Sequence, residues 1–200
     1  MKDYSFQRYD SKSRWLSYWH QVKAVLDLRP ANVLEVGVGN GTVSGYLKNI
    51  GLPTTTLDIE PSLKPDILGD VLNMPFQDSS FDVVLCAEVL EHLPFDKFEQ
   101  CLAELKRASK RYVVLTLPHF GHSLKLSFKV PFVGEKQFAV RLPFPVKHQF
   151  NGEHYWEIGK RGYPLSRIKA AIKKYFIIQK EFIPFENQYH RFFILKTKPN

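Results

Sequence analysis

The stretch that most constrains this chain is Val33-Leu34-Glu35-Val36-Gly37-Val38-Gly39-Asn40-Gly41-Thr42-Val43-Ser44. A short apolar β run ends in glycines at alternate positions, and Val43, Tyr46, Leu47 and Ile50 then recur at helical spacing. A strand that enters a helix through glycines lets its backbone approach a ligand, because no Cβ intervenes. The N–H groups of the helix's first turn point at whatever is bound. Such a turn holds a nucleotide-like cofactor at the carboxyl edge of a parallel sheet. Glu35 stands two residues before Gly37, where a buried strand favours an apolar residue. Asp58 closes the next β run, Thr54–Asp58, where a carboxylate can take both hydroxyls of a ribose.

The dinucleotide fingerprint Gly-x-Gly-x-x-Gly does not fit. Counted from Gly37 its third glycine falls on Thr42, and from Gly39 on Ser44. The pattern Glu-x-Gly-x-Gly-x-Gly instead resembles motif I of the class I S-adenosylmethionine-dependent methyltransferases, and within them the type 11 group. The resemblance implies that Gly37, Gly39 and Gly41 lie under the methionine part of S-adenosylmethionine and that Glu35 orients their loop. It assigns the ribose to Asp58, with Ile59 beside it in the same site. In Gly69-Asp70-Val71 it makes Asp70 the acceptor of the adenine amino group, and the N–H of Val71 meets the ring. Phe81-Asp82-Val83-Val84 and Val89-Leu90-Glu91-His92-Leu93 match the family's fourth-strand region, and Glu88 is counted with the cofactor site.

The rest of the chain alternates strands and helices, the mark of a doubly wound α/β sheet. Ser13 to Leu28 reads as an amphipathic helix with Leu16, Trp19, Val22, Val25 and Leu26 inward, preceded by a loose arm to Tyr9. The run Val83–Cys86 is a strand covered on both faces. A helix over Phe95–Ala108 and a strand over Tyr112–Leu117 follow. Pro164 opens a helix to Lys174, and strands near Phe176–Phe182 and Arg191–Lys196 end the chain. That last strand–strand pair resembles the methyltransferase sheet, whose final strand is antiparallel. The expected fold is a single Rossmann-like, mostly parallel seven-stranded sheet over residues 1–200, with an N-terminal arm and helix in residues 1–30.

Residues 119–151 break the pattern. They carry prolines at 131, 143 and 145, six phenylalanines, and five Lys/Arg against one Glu. A stretch of that length without regular structure is functional or mobile. It reads as an inserted substrate cap after the fifth strand, with an apolar wall of Phe and Pro. Lys125, Lys129, Arg141 and Lys147 could receive an anionic or glycan-like group, and a membrane-facing lip is a further reading.

Methyl transfer from a sulfonium needs mainly positioning, and a base only when the nucleophile arrives protonated. Candidate catalytic residues are Glu88 and His92 beyond the fourth strand and His119 and His122 beyond the fifth, with His148 and His154 further on. Glu88, Glu91 and His92 fall on one face if the turn is helical. They resemble the magnesium-binding arrangement of relatives that methylate quinone precursors or RNA 3′-terminal riboses, although the same letters also merely hold loops in metal-free relatives.

The net charge of +8 is uneven. Residues 31–110 hold 6 Lys/Arg against 12 Asp/Glu, and residues 111–200 hold 16 against 5. The basic half could face an anionic substrate, RNA or a membrane surface. DNA-base methylation is disfavoured: the Asn/Asp-Pro-Pro-Tyr/Phe motif is missing, and Cys86 follows Leu85 rather than proline. Cys86 and Cys101 are too few for a disulfide framework. Met1–Ser5 has no signal-type apolar core, and no apolar run is long enough for a transmembrane segment, so a cytoplasmic protein is expected. The expected activity is O-methylation of a small molecule or a glycan- or lipid-type intermediate. Alternatives are an RNA methyltransferase using the basic half and an inactive S-adenosylmethionine-binding module.

Overall fold

The computed structural model describes residues 6–7, 9–132, 134–142, 145–150 and 152–199. The readings placed on Met1–Ser5, Pro143, Phe144 and Asn151 lie outside the described residues. Helix α1 (Lys12–Asp27) leads into β1 (Val33–Val36), α2 (Thr42–Asn49), β2 (Thr54–Asp58) and the short β3 (Ile67–Leu68). Next come β4 (Phe81–Ala87), α3 (Phe98–Ala108), β5 (Ser109–Pro118) and a ribbon of β6 (His122–Val130) and β7 (Gly134–Leu142). Helix α4 (Leu165–Tyr175), β8 (Phe176–Phe182) and β9 (His190–Thr197) complete the chain.

Seven strands form one sheet in the order β3-β2-β1-β4-β5-β9-β8. All pairings are parallel except those of β9, which runs antiparallel to both β5 and β8. From β1 the chain winds outward through β2 and β3, then returns to build β4 and β5 on the other side. The carboxyl end of β1 is therefore the point where strand order reverses, the position at which such sheets bind ligands.

Alternation along the central strands divides the core in two. Val84 and Cys86 of β4 pack with Leu102 and Leu105 of α3 and Ile168 and Ile172 of α4. Val83 and Leu85 point the other way, to Val43 and Leu47 of α2 and Val25 of α1. A strand covered on both faces has no polar side to show, which is why β4 reads as continuous apolar sequence. Both cysteines are buried free thiols. Among the described residues no helix is long and apolar enough to cross a membrane.

Three local expectations need correcting. Helix α1 buries a narrow stripe of Ser17, Gln21, Ala24 and Val25, whereas Trp19 and Leu26 are exposed. The Ser17 Oγ lies 2.7 Å from His190 Nδ1 of β9, and this bond fixes the helix's rotation. The arm is not loose at its last residue: the Tyr9 hydroxyl accepts from Arg14 Nη1 at 3.0 Å, and Asp10 just after it takes the Asn40 amide at 3.0 Å. The stretch after β5 is not irregular, because β6 and β7 form a continuous antiparallel ribbon from His122↔Leu142 to Val130↔Gly134.

Candidate active site

The glycine loop turns as its composition requires. Gly37, Gly39 and Gly41 all have positive φ, at 82°, 57° and 73°. At Gly37 a Cβ would lie 2.3 Å from Val89 Cγ2, so only hydrogen fits between the loop and the turn after β4. Gly41 serves as the N-cap of α2, and Asn40 Oδ1 accepts from the Thr42 N–H at 3.1 Å.

One carboxylate holds the loop, and a second meets Ser44 of α2. Asp58 accepts from the Val38 N–H at 2.8 Å through Oδ2 and from the Glu60 N–H at 2.9 Å through Oδ1. It therefore ties the loop to the end of β2 without any ligand. Glu35 is buried with Oε2 unpaired among the described residues. Burial pushes its carboxyl up to about 7, against hydrogen bonds from the Ser44 side chain and backbone and the charge of Lys48. At Asp70, Oδ1 accepts from the Leu72 N–H at 2.9 Å, and Val71 beside it is buried.

Gly37, Gly39, Asp58 and Asp70, but not Gly41 or Glu35, open onto one cavity of about 400 Å³ at the sheet's carboxyl edge. Gly37, Gly39, Asp58, Ile59, Asp70 and Val71 line one side; Glu88, Val89 and His92 line the other, and Tyr9 closes over it. The volume falls in the range of small-molecule sites. A recess of about 40 Å³ continues inward between Glu35, Gly39, Glu88, Arg14 and His190. A wider groove of about 730 Å³ runs between α1 and the β8 edge, but its charged pair, Lys23 and Asp27, is spent in an exposed salt bridge.

Glu88 leaves β4 with φ 54° and stands before the 3₁₀ turn Leu90–His92, so it does not share a helical face with Glu91 and His92. Its Oε1 accepts from the Thr116 hydroxyl at 2.9 Å, and Oε2 lies 3.4 Å from His190 Nε2. Burial and the nearby Arg14 drive the His190 imidazole down to about 3, so it is neutral.

His92 lies on the cavity wall, with Nδ1 2.9 Å from the carbonyl of Glu153. A carbonyl only accepts, so Nδ1 carries a proton. His154 stacks edge-on at 5.0 Å from the His92 ring, and its Nε2 is 4.0 Å from the fully buried Glu91. One ligand atom each from Glu91, His92 and His154 lies within 4.8 Å of the others. His154 Nδ1 meets Glu157 at 3.2 Å. Burial would raise the Glu157 carboxyl, but hydrogen bonds from His154 and Tyr189 hold it below its ordinary value.

The other histidines stand apart from the cavity. His119 is buried and accepts from Arg191 Nε at 2.8 Å; burial, then Arg141 and Arg191, drive it down to about 3. His122 starts the ribbon opposite Leu142. His148 Nε2 donates to the His154 carbonyl at 2.8 Å. None of these three lines the cavity, nor does any described residue of 119–151. The returning chain reaches the site instead, where the Tyr155 N–H bonds the Glu91 carbonyl and Trp156 Nε1 bonds that of Leu93.

Sequence reasoning missed Tyr9, Arg14, His190 and the Glu157–Tyr189 pair. Each reaches the site only through pairings across the whole chain, and no local spacing marks them.

The cavity thus lies at the switch point of the sheet, with glycines and carboxylates in its wall. Residues 34–116 match the family model described as a methyltransferase domain. A demethylmenaquinone methyltransferase of Thermotoga maritima is 31% identical over 156 residues, covering 64% of this chain and 68% of that protein. A ubiquinone biosynthesis O-methyltransferase of Xanthomonas oryzae is 30% identical over 144 residues, and this chain spans 58% of its length. An N-methyltransferase of Bradyrhizobium japonicum, solved with S-adenosyl-L-homocysteine, shares the fold at a TM-score of 0.65 and 10% identity, over 99% of this chain and 94% of that one. A Burkholderia thailandensis methyltransferase solved with the same product does so at 0.65 and 12%, over 95% and 80%. The chain belongs to the class I S-adenosylmethionine-dependent methyltransferases, and S-adenosylmethionine is its methyl donor.

Proposed function

We propose that this enzyme methylates a hydroxyl on a small, largely apolar acceptor, with His92 as the proton acceptor. The observation that carries the reading is His92 itself. It lies on the cavity wall, and its Nδ1 proton is committed to the Glu153 carbonyl. An imidazole in that place can take a proton from a hydroxyl as the methyl group transfers. S-adenosylmethionine would lie along the glycine loop, its ribose on Asp58 beside Ile59 and its adenine between Asp70 and Val71. Glu88 and the recess beyond it would take the ammonium end. In-line displacement at the sulfonium carbon needs no further activation of the leaving group, so alignment supplies most of the rate. The ubiquinone-pathway name of one relative supports an oxygen acceptor with an apolar body. Buried free thiols fit a reducing, cytoplasmic setting.

Glu91, His92 and His154 support a second reading. One carboxylate and two imidazoles within 4.8 Å suit a divalent ion, which would bind the acceptor hydroxyl and lower its pKa. Glu88 lies outside this set.

The test begins with S-adenosylhomocysteine, which should raise the unfolding midpoint of the wild type but not of Asp58→Ala. His92→Gln should keep that shift and lose about 10²–10⁴ in turnover on hydroxylated aromatic acceptors. Turnover by His92→Gln at the wild-type rate sinks the base assignment. Activity lost to a chelator and restored by one divalent ion selects the metal reading.

A further inference from the structure

The ribbon of β6 and β7 has two unlike faces. Leu124, Leu126 and Phe128 share one face with Phe138, Val140 and Leu142, and each is between 50% and 60% exposed. Leu124 stands opposite Val140 and Leu126 opposite Phe138, while the Phe128 and Phe138 rings stack at 5.9 Å. Phe132 tops the turn, fully exposed at φ 62°. Neither strand joins the seven-stranded sheet. Isolated exposed apolar residues are ordinary, but a continuous face of this kind marks an interaction surface. A lone two-stranded hairpin is at best marginal in water, so this one gains most from a covered face.

We infer that the ribbon docks on an anionic lipid surface, with Phe132 leading into the headgroup boundary and Lys129 and Lys136 reaching the phosphates. Charge supports this occupant. From His119 to Phe150 there are five Lys/Arg and one acid, Glu135, which is already held by Ser127 and Gln137. Lys136 stands opposite Phe128 and so shares the tip end of the apolar face, while Lys129, opposite Glu135, lies on the other face close to the turn. Long cationic side chains keep their stems in the apolar layer and their heads in water, and each strengthens attachment to anionic lipid. At its root the ribbon is fixed, because the half-buried Arg141 guanidinium donates to the His119 carbonyl at 2.7 Å and to that of Gln188. The ribbon starts four residues beyond the carboxyl end of β5, on the sheet edge that carries the cavity. Docking would therefore hold the cavity near the bilayer surface. This inference does not rest on the acceptor reading, since vesicle binding requires no turnover.

The test is flotation of the full chain with phosphatidylcholine vesicles containing phosphatidylglycerol, against phosphatidylcholine alone. Binding should need the anionic lipid and fall with added salt. Lys129→Ala with Lys136→Ala should weaken it about tenfold or more. Leu126→Ser with Phe132→Ser should abolish it. Both double variants should keep the thermal shift with S-adenosylhomocysteine, which shows that they fold. Equal binding to both vesicles, no binding to either, or unchanged binding by the variants overturns the inference. So does a dimer in sedimentation that Leu126→Ser disrupts while vesicles are ignored.

Discussion

Gly37 shows how little freedom a single position has here. Its φ of 82° and the 2.3 Å approach of Val89 to a Cβ are separate obstacles to a side chain. Gly37→Ala should cost about 2–4 kcal/mol in urea unfolding. Adding Val89→Ala should recover the steric part and leave the cost of left-handed backbone; no recovery would mean that the contact does not matter. Glu35 carries the pH signature of the site. Its carboxyl moves from 4.5 unfolded to about 7 folded, so the folded state holds the extra proton between those values. Stability from this group is complete below pH 4.5 and is lost as pH rises through 7, by about 3 kcal/mol. His119 and His190, both driven down to about 3, act in the opposite sense, losing stability as pH falls below 6.5. Comparing Glu35→Gln with the wild type cancels those histidines. The variant should gain on the wild type from pH 5 to pH 7.5, and a constant difference would show that Glu35 titrates normally.

At the scale of elements, α1 covers one face of the sheet and, with the arm before it, also forms part of the site. Arg14 Nη1 lies 3.0 Å from the Tyr9 hydroxyl, with its guanidinium 3.9 Å from the ring, and this clamp sets Tyr9 over the cavity. Tyr9→Ala should weaken S-adenosylhomocysteine binding about tenfold in calorimetry, with less than about 1 kcal/mol lost from the unliganded protein. Unchanged affinity would make the ring a bystander. The order of strands and helices was legible because a parallel sheet demands unbroken apolar runs, and Val83–Cys86 and Val113–Leu115 supply them. The ribbon was not. Its period of two is visible in Leu124-x-Leu126-x-Phe128, but prolines at 131, 143 and 145 draw attention away from it. Those at 131 and 145 lie outside both strands, where they leave the ladder intact. The face of α1 misled for a different reason: hydrophobicity favours Trp19 and Leu26, but a bond from Ser17 to a residue 173 positions away decides the rotation. The glycines and Asp58 were readable because one backbone turn and one carboxylate suffice to state their chemistry. His154, Glu157 and His190 have meaning only once the strands are paired.

The whole molecule separates a cofactor-holding sheet from an outlying basic ribbon. Trypsin should cut first at Lys129 or Lys136, both exposed and close to the turn, and the nicked protein should still show its thermal shift with S-adenosylhomocysteine. Loss of the shift on nicking would make the ribbon part of the cofactor site. The two cysteines give the molecule a useful silence. Cys86 is buried with its thiol pushed far up, and Cys101 is pushed up to about 12, so neither presents a thiolate to a labelling reagent near neutral pH. A cysteine placed at Phe132 would stand alone in reactivity. A single fluorophore there would report contact with a surface by its emission colour, without removing either native thiol.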